Sequence, residues 1–274
     1  MAKKLKKPTG IILYEGPSLI DGKPIVVVAN TFKGTDNGKI EDMVQTWILR
    51  ADTHPTDAKK GGEDHSVCGN CKHRPKQSSD DQDHMNTCYV NMMMGPIPVY
   101  HAYQRYLRGE SNTYFKYDPK YLDMFKSKGF RMGSYGDPAA VPFEVWDKFV
   151  SVSPRHTGYT HCWDEPFVDS RLKNICMASA DTLGEKLRAI AKGWRTFRVM
   201  SDDDTYDTKE ISCPASIEAG KVSSCSRCSL CSGADNKIPT TVGIRYHSPH
   251  KAVRDRFNNG IKHFKAKDLL NGAS

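Results

Sequence analysis

The spacing of apolar residues in the first half of this 274-residue chain predicts two kinds of element. β-branched runs at 10–14 and 24–29 flank a Gly/Asp/Lys turn, which favours a hairpin or two adjacent strands. Segment 41–50 is ambiguous between helix and strand. Proline near the start of 96–107 and of 119–128 predicts a helix in each segment.

From residue 130 onwards, strand-like runs alternate with helical patterns. Strands are predicted at 130–132, 158–162, 175–178, 196–200 and 241–246, and helices at 143–152 and 181–192, before a basic helical end. This alternation is typical of βα units on a parallel sheet, either open or closed into a partial or full (β/α) barrel-like arrangement. In these architectures the working residues follow the carboxyl ends of strands. We therefore expect a common face made of 133–138, 161–164, 179–181 and 201–204.

Seven of the nine cysteines fall into two groups, and the group nearer the C-terminus offers a complete ligand shell. Cys225, Cys228 and Cys231 are three residues apart, so one loop can wrap them around a single centre. Cys213 supplies a fourth thiolate. Four thiolates suit a structural zinc ion or an iron-sulfur cluster, and the sequence leaves both open.

The other group consists of Cys68, Cys71 and Cys88, with sixteen residues between the last two. His73 is a candidate fourth ligand, as are His65 and His84. With a histidine the group becomes a closed zinc site, and without one it is a cluster with an open coordination position. An odd cysteine count in a chain of this length argues against a secreted disulfide scaffold.

These groups interrupt an otherwise regular chain, and we expect them to be cysteine-rich metal-binding insertions in the α/β fold. The predicted segments are a basic arm with a β-hairpin region (1–60), a cysteine-rich metal-binding segment (61–95), an α/β core (96–210), a cysteine-rich metal-binding loop (211–237) and a final strand with a basic C-terminal helix (238–274). Residues 51–83 are polar and lack an apolar period, so a bound metal would order them.

The formal net charge of +8 suggests attraction to polyanions such as DNA or RNA. The denser basic patches lie at 3–7 and 251–267. They are either phosphate-binding segments or charged chain ends exposed to solvent. No window approaches the roughly 20 apolar residues of a membrane span, and no long apolar stretch follows the basic N-terminus. We expect a cytoplasmic protein without a membrane partner.

Candidate site residues follow three predicted strands. Gly133 and Gly136 would let the backbone approach a ligand, and Asp137, before Pro138, would accept hydrogen bonds from an amine or a ribose or would begin a helix. His161 is a candidate for acid-base chemistry, with a polar loop around a packed Trp163 as the alternative. Ser179 and Asp181 are candidates for cofactor binding and, more simply, for capping a helix.

This order of motifs resembles radical S-adenosylmethionine enzymes with an auxiliary cluster. The resemblance implies that Cys68, Cys71 and Cys88 hold a [4Fe-4S] cluster whose open iron binds S-adenosylmethionine. It also implies that Gly136, Asp137 and Pro138 stand for the turn that contacts the amine of the cofactor. Two departures are the sixteen-residue gap before Cys88 and the Asp in place of the usual Glu.

The chain as a whole also resembles uncharacterised bacteriophage proteins with the same Cys-Tyr, Gly-Asp and terminal Cys-x-x-Cys-x-x-Cys elements. That likeness implies a role around phage or host nucleic acid in the host cytoplasm. Three hypotheses result: a radical-SAM-like enzyme acting on nucleic acid or a nucleotide, a zinc-stabilised nucleic-acid-binding protein without catalysis, and a transglycosylase-like base-modifying enzyme with Asp137 as its nucleophile.

Overall fold

A computed structural model describes residues 8–34, 38, 40–220, 223–236, 238, 240–248 and 250–270. The strands are β1 (Gly10–Pro17), β2 (Pro24–Asn30), β3 (Val44–Arg50), β4 (Tyr114–Lys116), β5 (Phe130–Tyr135), β6 (His156–Thr157), β7 (Tyr159–Thr160), β8 (Met177–Ala180), β9 (Thr196–Met200), β10 (Glu210–Ser212) and β11 (Thr241–Arg245). The α-helices are α1 (Pro55–Gly61), α2 (His65–Cys68), α3 (Pro96–Leu107), α4 (Asp123–Lys126), α5 (Phe143–Val150), α6 (Leu183–Ala191) and α7 (Lys251–Leu270). The predicted α/β class is confirmed.

The first sheet is mixed and has the strand order β4-β1-β2-β3-β5-β6. The predicted hairpin is present, since β1 and β2 pair antiparallel around the turn at Gly22. The ambiguous segment forms β3, which is antiparallel to β2 and parallel to β5. All seven residues of β3 are buried, so both of its faces lie in the core and no two-residue alternation marks it as a strand.

The second sheet is parallel throughout and has the strand order β10-β11-β9-β8-β7. It continues from the first sheet along the chain, because only Gly158 separates β6 from β7. A Cβ atom at Gly158 would stand 2.5 Å from Cys176 Sγ and 2.6 Å from Met132 Cε, so this junction has no room for a side chain. The predicted strand at 158–162 is therefore two short strands that begin earlier.

Two apolar cores lie behind these sheets. One surrounds the first sheet and includes Trp146 and Phe149 of α5, both essentially inaccessible. The other lies under the second sheet, where α7 contributes Phe257, Ile261 and Phe264. The basic C-terminal segment is therefore a docked helix, whereas the arm at 3–7 falls outside the described residues. The division into five segments stays a prediction.

Two helix predictions need correction. Segment 119–128 is not one helix but a 3-10 turn, Pro119–Tyr121, followed by the four-residue α4. Tyr121 and Phe125 anchor these two turns separately in the first core, and the chain turns at Lys128 before β5 begins. The helix expected from residue 181 begins at Leu183, because Thr182 caps it by accepting a hydrogen bond from the Glu185 N–H at 3.1 Å.

Candidate functional site

Strands of both sheets line a cavity of about 560 Å³. Alternate residues of the strands point into it, as the two-residue period of a strand requires. They include Gln45 and Trp47 of β3, Arg131 and Gly133 of β5, Thr157, Tyr159 and His161 along β6 and β7, Phe197 and Val199 of β9, and Val242 and Ile244 of β11. The cavity is therefore built by residues far apart in sequence.

All seven cysteines of the two groups line this one cavity, whereas Cys162 and Cys176 do not. The set is Cys68, Cys71, Cys88, Cys213, Cys225, Cys228 and Cys231. Of the residues predicted to share a face, Gly133 to Asp137, His161 and Ser179 also line the cavity, but 201–204 do not. Two cysteine groups that looked separate in the sequence therefore face a common space.

The N-terminal cysteine group lies at the carboxyl ends of β5 and β8. Cys68 ends α2, and the preceding Val67 carbonyl accepts a hydrogen bond from the Asp137 N–H at 2.6 Å. The sixteen residues between Cys71 and Cys88 form a loop that closes on itself. Residues 72–74 accept backbone hydrogen bonds from residues 85–87 at 2.6 to 3.0 Å. This pairing brings Cys88 back beside Cys71.

Arg74 braces that loop from within. Its guanidinium donates to the Asp64 carboxylate at 2.7 and 3.1 Å and to the carbonyls of Gly62 and Gly69 at 2.8 and 3.1 Å. Both ends of the ion pair are buried. The polar segment that was expected to be ordered by a metal is therefore also held by the hydrogen bonds and the ion pair of Arg74. The sequence did not indicate this role, because Arg74 belongs to no recognisable motif.

The thiols of this group are electrostatically coupled. Burial raises the pKa of Cys68, and the neighbouring charges of Asp64, Cys71 and Cys88 raise it further. Burial, Asp181 and Cys88 likewise raise the pKa of Cys71. A bound cation would reverse this effect and favour the thiolates, since a coordinating thiol loses its proton.

The C-terminal cysteine loop approaches from the amino ends of the strands. Arg155, just before β6, donates to the Ser226 carbonyl at 3.0 Å, and His156 Nε2 lies 3.0 Å from the Ser232 carbonyl. Arg195, just before β9, donates to the Gly233 carbonyl at 2.9 Å. These contacts fix the loop that carries Cys225, Cys228 and Cys231.

The thiols of the C-terminal loop also interact with one another. Burial and the charges of Cys213, Cys225 and Cys228 hold the pKa of Cys231 at about 12, although Tyr159 donates a hydrogen bond that lowers it. Cys213 directly follows β10, and its N–H donates to the Gly243 carbonyl at 2.9 Å.

The turn after β5 needs glycine at both of its glycine positions, and their predicted role in approaching a ligand stays a prediction. Gly133 has φ +61° and Gly136 has φ +83°, both in the region that side chains avoid. Asp137 begins the 3-10 turn Pro138–Ala140 by accepting from the Ala139 N–H at 2.9 Å. Its other oxygen accepts from the His161 N–H at 2.7 Å. The helix-start interpretation of Asp137 is thus confirmed, and its carboxylate also ties β5 to the end of β7.

The Asp137 carboxylate is buried among neutral donors. Burial raises its pKa, while hydrogen bonds from Thr160, Ala139 and His161 oppose the rise. Both oxygens accept backbone hydrogen bonds, so the carboxylate orders the turn, and its roles in catalysis and cofactor binding stay predictions.

His73, His161 and Asp181 come together beside the cavity. His73 Nε2 lies 3.1 Å from Asp181 Oδ1, and His161 Nε2 lies 3.9 Å from Asp181 Oδ2. Burial lowers the pKa of His161 to about 4. Burial alone would raise the pKa of Asp181, but the charges and hydrogen bond of the histidines hold it below its usual range. The remaining histidine candidates, His65 and His84, bond to the Gly69 carbonyl and to Asp81.

Ser179 and Asp181 do not cap α6, contrary to the simpler prediction, because Thr182 takes that position. Ser179 lies on the cavity wall, and its carbonyl accepts from Trp163 Nε1 at 3.1 Å. Trp163 is 7% exposed, so the expected packed Trp is present beside His161.

Arg131 stands out among the charged side chains of the cavity wall. Its guanidinium lies 5.6 Å from the centre of the Tyr159 ring, and within the described chain it has no carboxylate partner and its Nε has no hydrogen-bond acceptor. Arg245, by contrast, donates to the carbonyls of Ser201, Asp202 and Asp204. Sequence reasoning missed Arg131, although its position two residues before Gly133 places both on one face of β5.

Donor atoms come close enough to share one small ion in a single place among the described residues. Among the described residues, His73, His161 and Asp181 are the one set of three ligand-type side chains whose donor atoms all lie within 4.8 Å of one another. No three thiols meet that spacing in the same part of the chain.

Comparisons with protein-family models, curated proteins and solved structures find no match to this chain. None of the helices in the described ranges is long and apolar enough to cross a membrane.

Proposed function

We propose that this protein is a metal-cluster enzyme, related to radical S-adenosylmethionine enzymes, that acts on a nucleotide or nucleic acid. Cys68, Cys71 and Cys88 would hold an iron-sulfur cluster with an open coordination position. The C-terminal cysteines would hold a second, closed centre. The observation that carries the proposal is that the seven grouped cysteines line one cavity while the remaining two do not.

The distance between thiols bears on the choice between a cluster and a single zinc ion at each cysteine group. Zinc-sulfur bonds of about 2.3 Å in a tetrahedron place sulfur atoms about 3.8 Å apart. No three described thiols are grouped even within 4.8 Å. An iron-sulfur cluster holds its thiolates on different iron atoms and therefore accepts wider spacing. The absence of a tighter thiol group among the described residues is compatible with a cluster at either cysteine group.

We infer further that the parallel strands form a partial barrel around the substrate space. The alternate residues of β3, β5, β6, β7, β9 and β11 that face the cavity support this arrangement. The turn at Gly133 and Gly136 would then present its backbone to a cofactor at the carboxyl ends of the strands. A cluster held by Cys68, Cys71 and Cys88 would supply one-electron chemistry beside that turn.

A nucleotide suits the remaining lining of the cavity. Arg131 offers a cation without a carboxylate partner in the described chain, which would pair with a phosphate. Tyr159 and Phe197, whose ring centres are 4.7 Å apart, offer aromatic surface for a base. The predicted cytoplasmic location, in the host cell for a phage protein, is consistent with a reduced cluster and with such a substrate.

The two other hypotheses receive less support. As a transglycosylase nucleophile, Asp137 would have to attack the substrate with oxygens that already fix the turn through backbone hydrogen bonds. A purely nucleic-acid-binding role would use the basic helix α7, but Lys265 and Lys267 of that helix form ion pairs with Asp204 and Asp83. Each pair reduces the charge available to a phosphate backbone.

Anaerobic purification with iron, sulfide and zinc analysis tests the proposal. We expect brown protein, and we expect Cys71→Ser to lose iron because Cys71 faces the cavity. Cys176→Ser is the matched control, since Cys176 is fully buried but lies outside the cavity lining. Colourless protein carrying two zinc ions, or equal iron loss in both variants, would contradict the cluster assignment.

A further inference from the structure

Three side chains from separate parts of the chain converge at the edge of the cavity. His73 follows Cys71, His161 follows β7, and Asp181 follows β8. One donor atom from each lies within 4.8 Å of the other two. Asp181 is fully buried and His73 is 3% exposed, so bulk water has little access to the space between them.

Two of the converging atoms have no partner among the described residues. His161 Nε2 and Asp181 Oδ2 are buried and make no hydrogen bond there. They face each other across 3.9 Å, which is too long for a hydrogen bond between them. Burying unpaired polar atoms costs free energy, and a cation bound between the imidazole and the carboxylate would satisfy both.

His73 is oriented as a metal ligand would be. Its Nδ1 lies 2.8 Å from Thr87 Oγ1, which leaves Nε2 directed at the Asp181 carboxylate. Metal-binding histidines usually engage their second ring nitrogen in this way, because the contact fixes the ring. Tyr246 and Phe257 stack against the His73 ring, with centroid distances of 6.1 and 5.7 Å.

We propose that His73, His161 and Asp181 bind one divalent transition-metal ion, separate from the cysteine centres. Zinc bonds of about 2.0–2.2 Å to nitrogen and oxygen place neighbouring donors about 3.4 Å apart in a tetrahedron. The two measured separations, 3.1 and 3.9 Å, lie on either side of that value. Two imidazoles and one carboxylate leave coordination positions open and suit zinc or iron(II).

The open positions would face the substrate space. His73 and His161 both line the large cavity, and His161 also borders a smaller one that contains Lys72 and Glu185. Lys72 forms an ion pair with Glu185, so that cation is already engaged. The metal would therefore be the direct counter-charge for Asp181 and a third centre beside the proposed clusters.

Cobalt(II) titration of the full chain under anaerobic conditions tests this site. Cobalt bound by nitrogen and oxygen shows visible ligand-field absorption without sulfur-to-cobalt charge transfer. We expect His161→Gln and Asp181→Asn each to lose one equivalent of metal and this sulfur-free component, with the sulfur-bound component unchanged. His84→Gln should retain every equivalent, since His84 pairs with Asp81 at 2.9 Å and lies outside the cavity lining.

The outcomes separate this site from the cysteine centres. Unchanged metal content in a folded His161→Gln variant would overturn the proposal. That variant decides the question even if Asp181→Asn unfolds, because His161 Nε2 makes no hydrogen bond to the described residues that the fold could lose. If the iron-sulfur proposal alone is wrong, iron and sulfide will be absent while the sulfur-free cobalt component remains.

Discussion

The turn that ends β5 leaves no space for a side chain at Gly136, and Gly136→Ala measures how tightly it is held. A Cβ atom there would stand 2.6 Å from Ile48 Cβ, 2.9 Å from the Ile48 carbonyl oxygen and 3.2 Å from the Val67 carbonyl oxygen. Two of these contacts are with backbone, which cannot move aside as a flexible side chain could. The substitution therefore has to displace the turn or α2.

The expected loss of stability has two parts. A residue with a side chain at φ +83° costs about 1–2 kcal/mol in the left-handed region. The overlap with Ile48 and Val67 adds about 1–3 kcal/mol, as overpacking of a buried site usually does. We expect Gly136→Ala to lower the free energy of unfolding by about 2–5 kcal/mol in urea denaturation.

Gly22→Ala is the matched control. Gly22 has a similar φ of +75°, but no atom of the described chain lies within 4 Å of the position that a Cβ would take there. Only the backbone cost of about 1–2 kcal/mol applies at this glycine. Equal destabilisation by the two substitutions would refute the close approach of β3, α2 and the turn. Gly136→Ala should also reduce iron at the proposed cluster, because Val67 precedes Cys68.

Three further predictions concern buried polar groups. Arg131→Met should leave stability nearly unchanged but weaken the binding of a nucleoside monophosphate about 10–100-fold in calorimetric titration, because a charge-assisted hydrogen bond contributes about 1.5–3 kcal/mol. Unchanged affinity would exclude Arg131 from the phosphate site. Glu210→Gln should lower the free energy of unfolding by about 1.5–3 kcal/mol in urea, because it removes the carboxylate that the buried Arg198 guanidinium bonds at 2.6 and 3.0 Å and leaves Arg198 only Asp204, 3.6 Å away, as a counter-charge. Burial raises the pKa of Tyr246 to about 12, so wild-type stability should fall as the pH rises from about 10 to 12, where the unfolded phenol loses its proton first. Tyr246→Phe should lower the free energy of unfolding by about 1 kcal/mol, because it removes the 2.7 Å hydrogen bond to the Thr87 carbonyl. In urea unfolding at a series of pH values, the stability of this variant should fall less than that of the wild type as the pH becomes alkaline.

Elements with local signals were predictable from the sequence. Helix α3 occupies Pro96–Leu107 and strand β9 occupies Thr196–Met200, the ranges that proline and the β-branched and aromatic residues indicated. The break between β6 and β7 could not be foreseen in this way. It depends on Cys176 and Met132, which reach Gly158 only in the folded chain.

The residues of the candidate site likewise separate into those that the sequence indicated and those that only the structure revealed. The cysteines, the Gly133 and Gly136 turn, and His161 were found because their residue types and spacing carry chemistry. Arg131 and Arg74 were not, since an arginine in a strand or a polar loop is ordinary until its partners are known. The absence of a carboxylate near Arg131 in the described chain and the buried partner Asp64 of Arg74 are both tertiary facts.

The two cysteine groups differ in how much freedom the fold leaves around them. At the amino ends of β6 and β9, Arg155, His156 and Arg195 bind the backbone of the C-terminal loop, so that end of the cavity is fixed by protein contacts. At the carboxyl ends, atoms of His161 and Asp181 without a partner among the described residues lie near Cys71. Buried polar atoms without a partner among the described residues also occur at the amino end of β9, on Arg195 and Thr196, but the imidazole and the carboxylate, which are metal-ligand types, lie at the carboxyl ends. That asymmetry favours chemistry beside the N-terminal cysteines and a supporting role for the C-terminal loop.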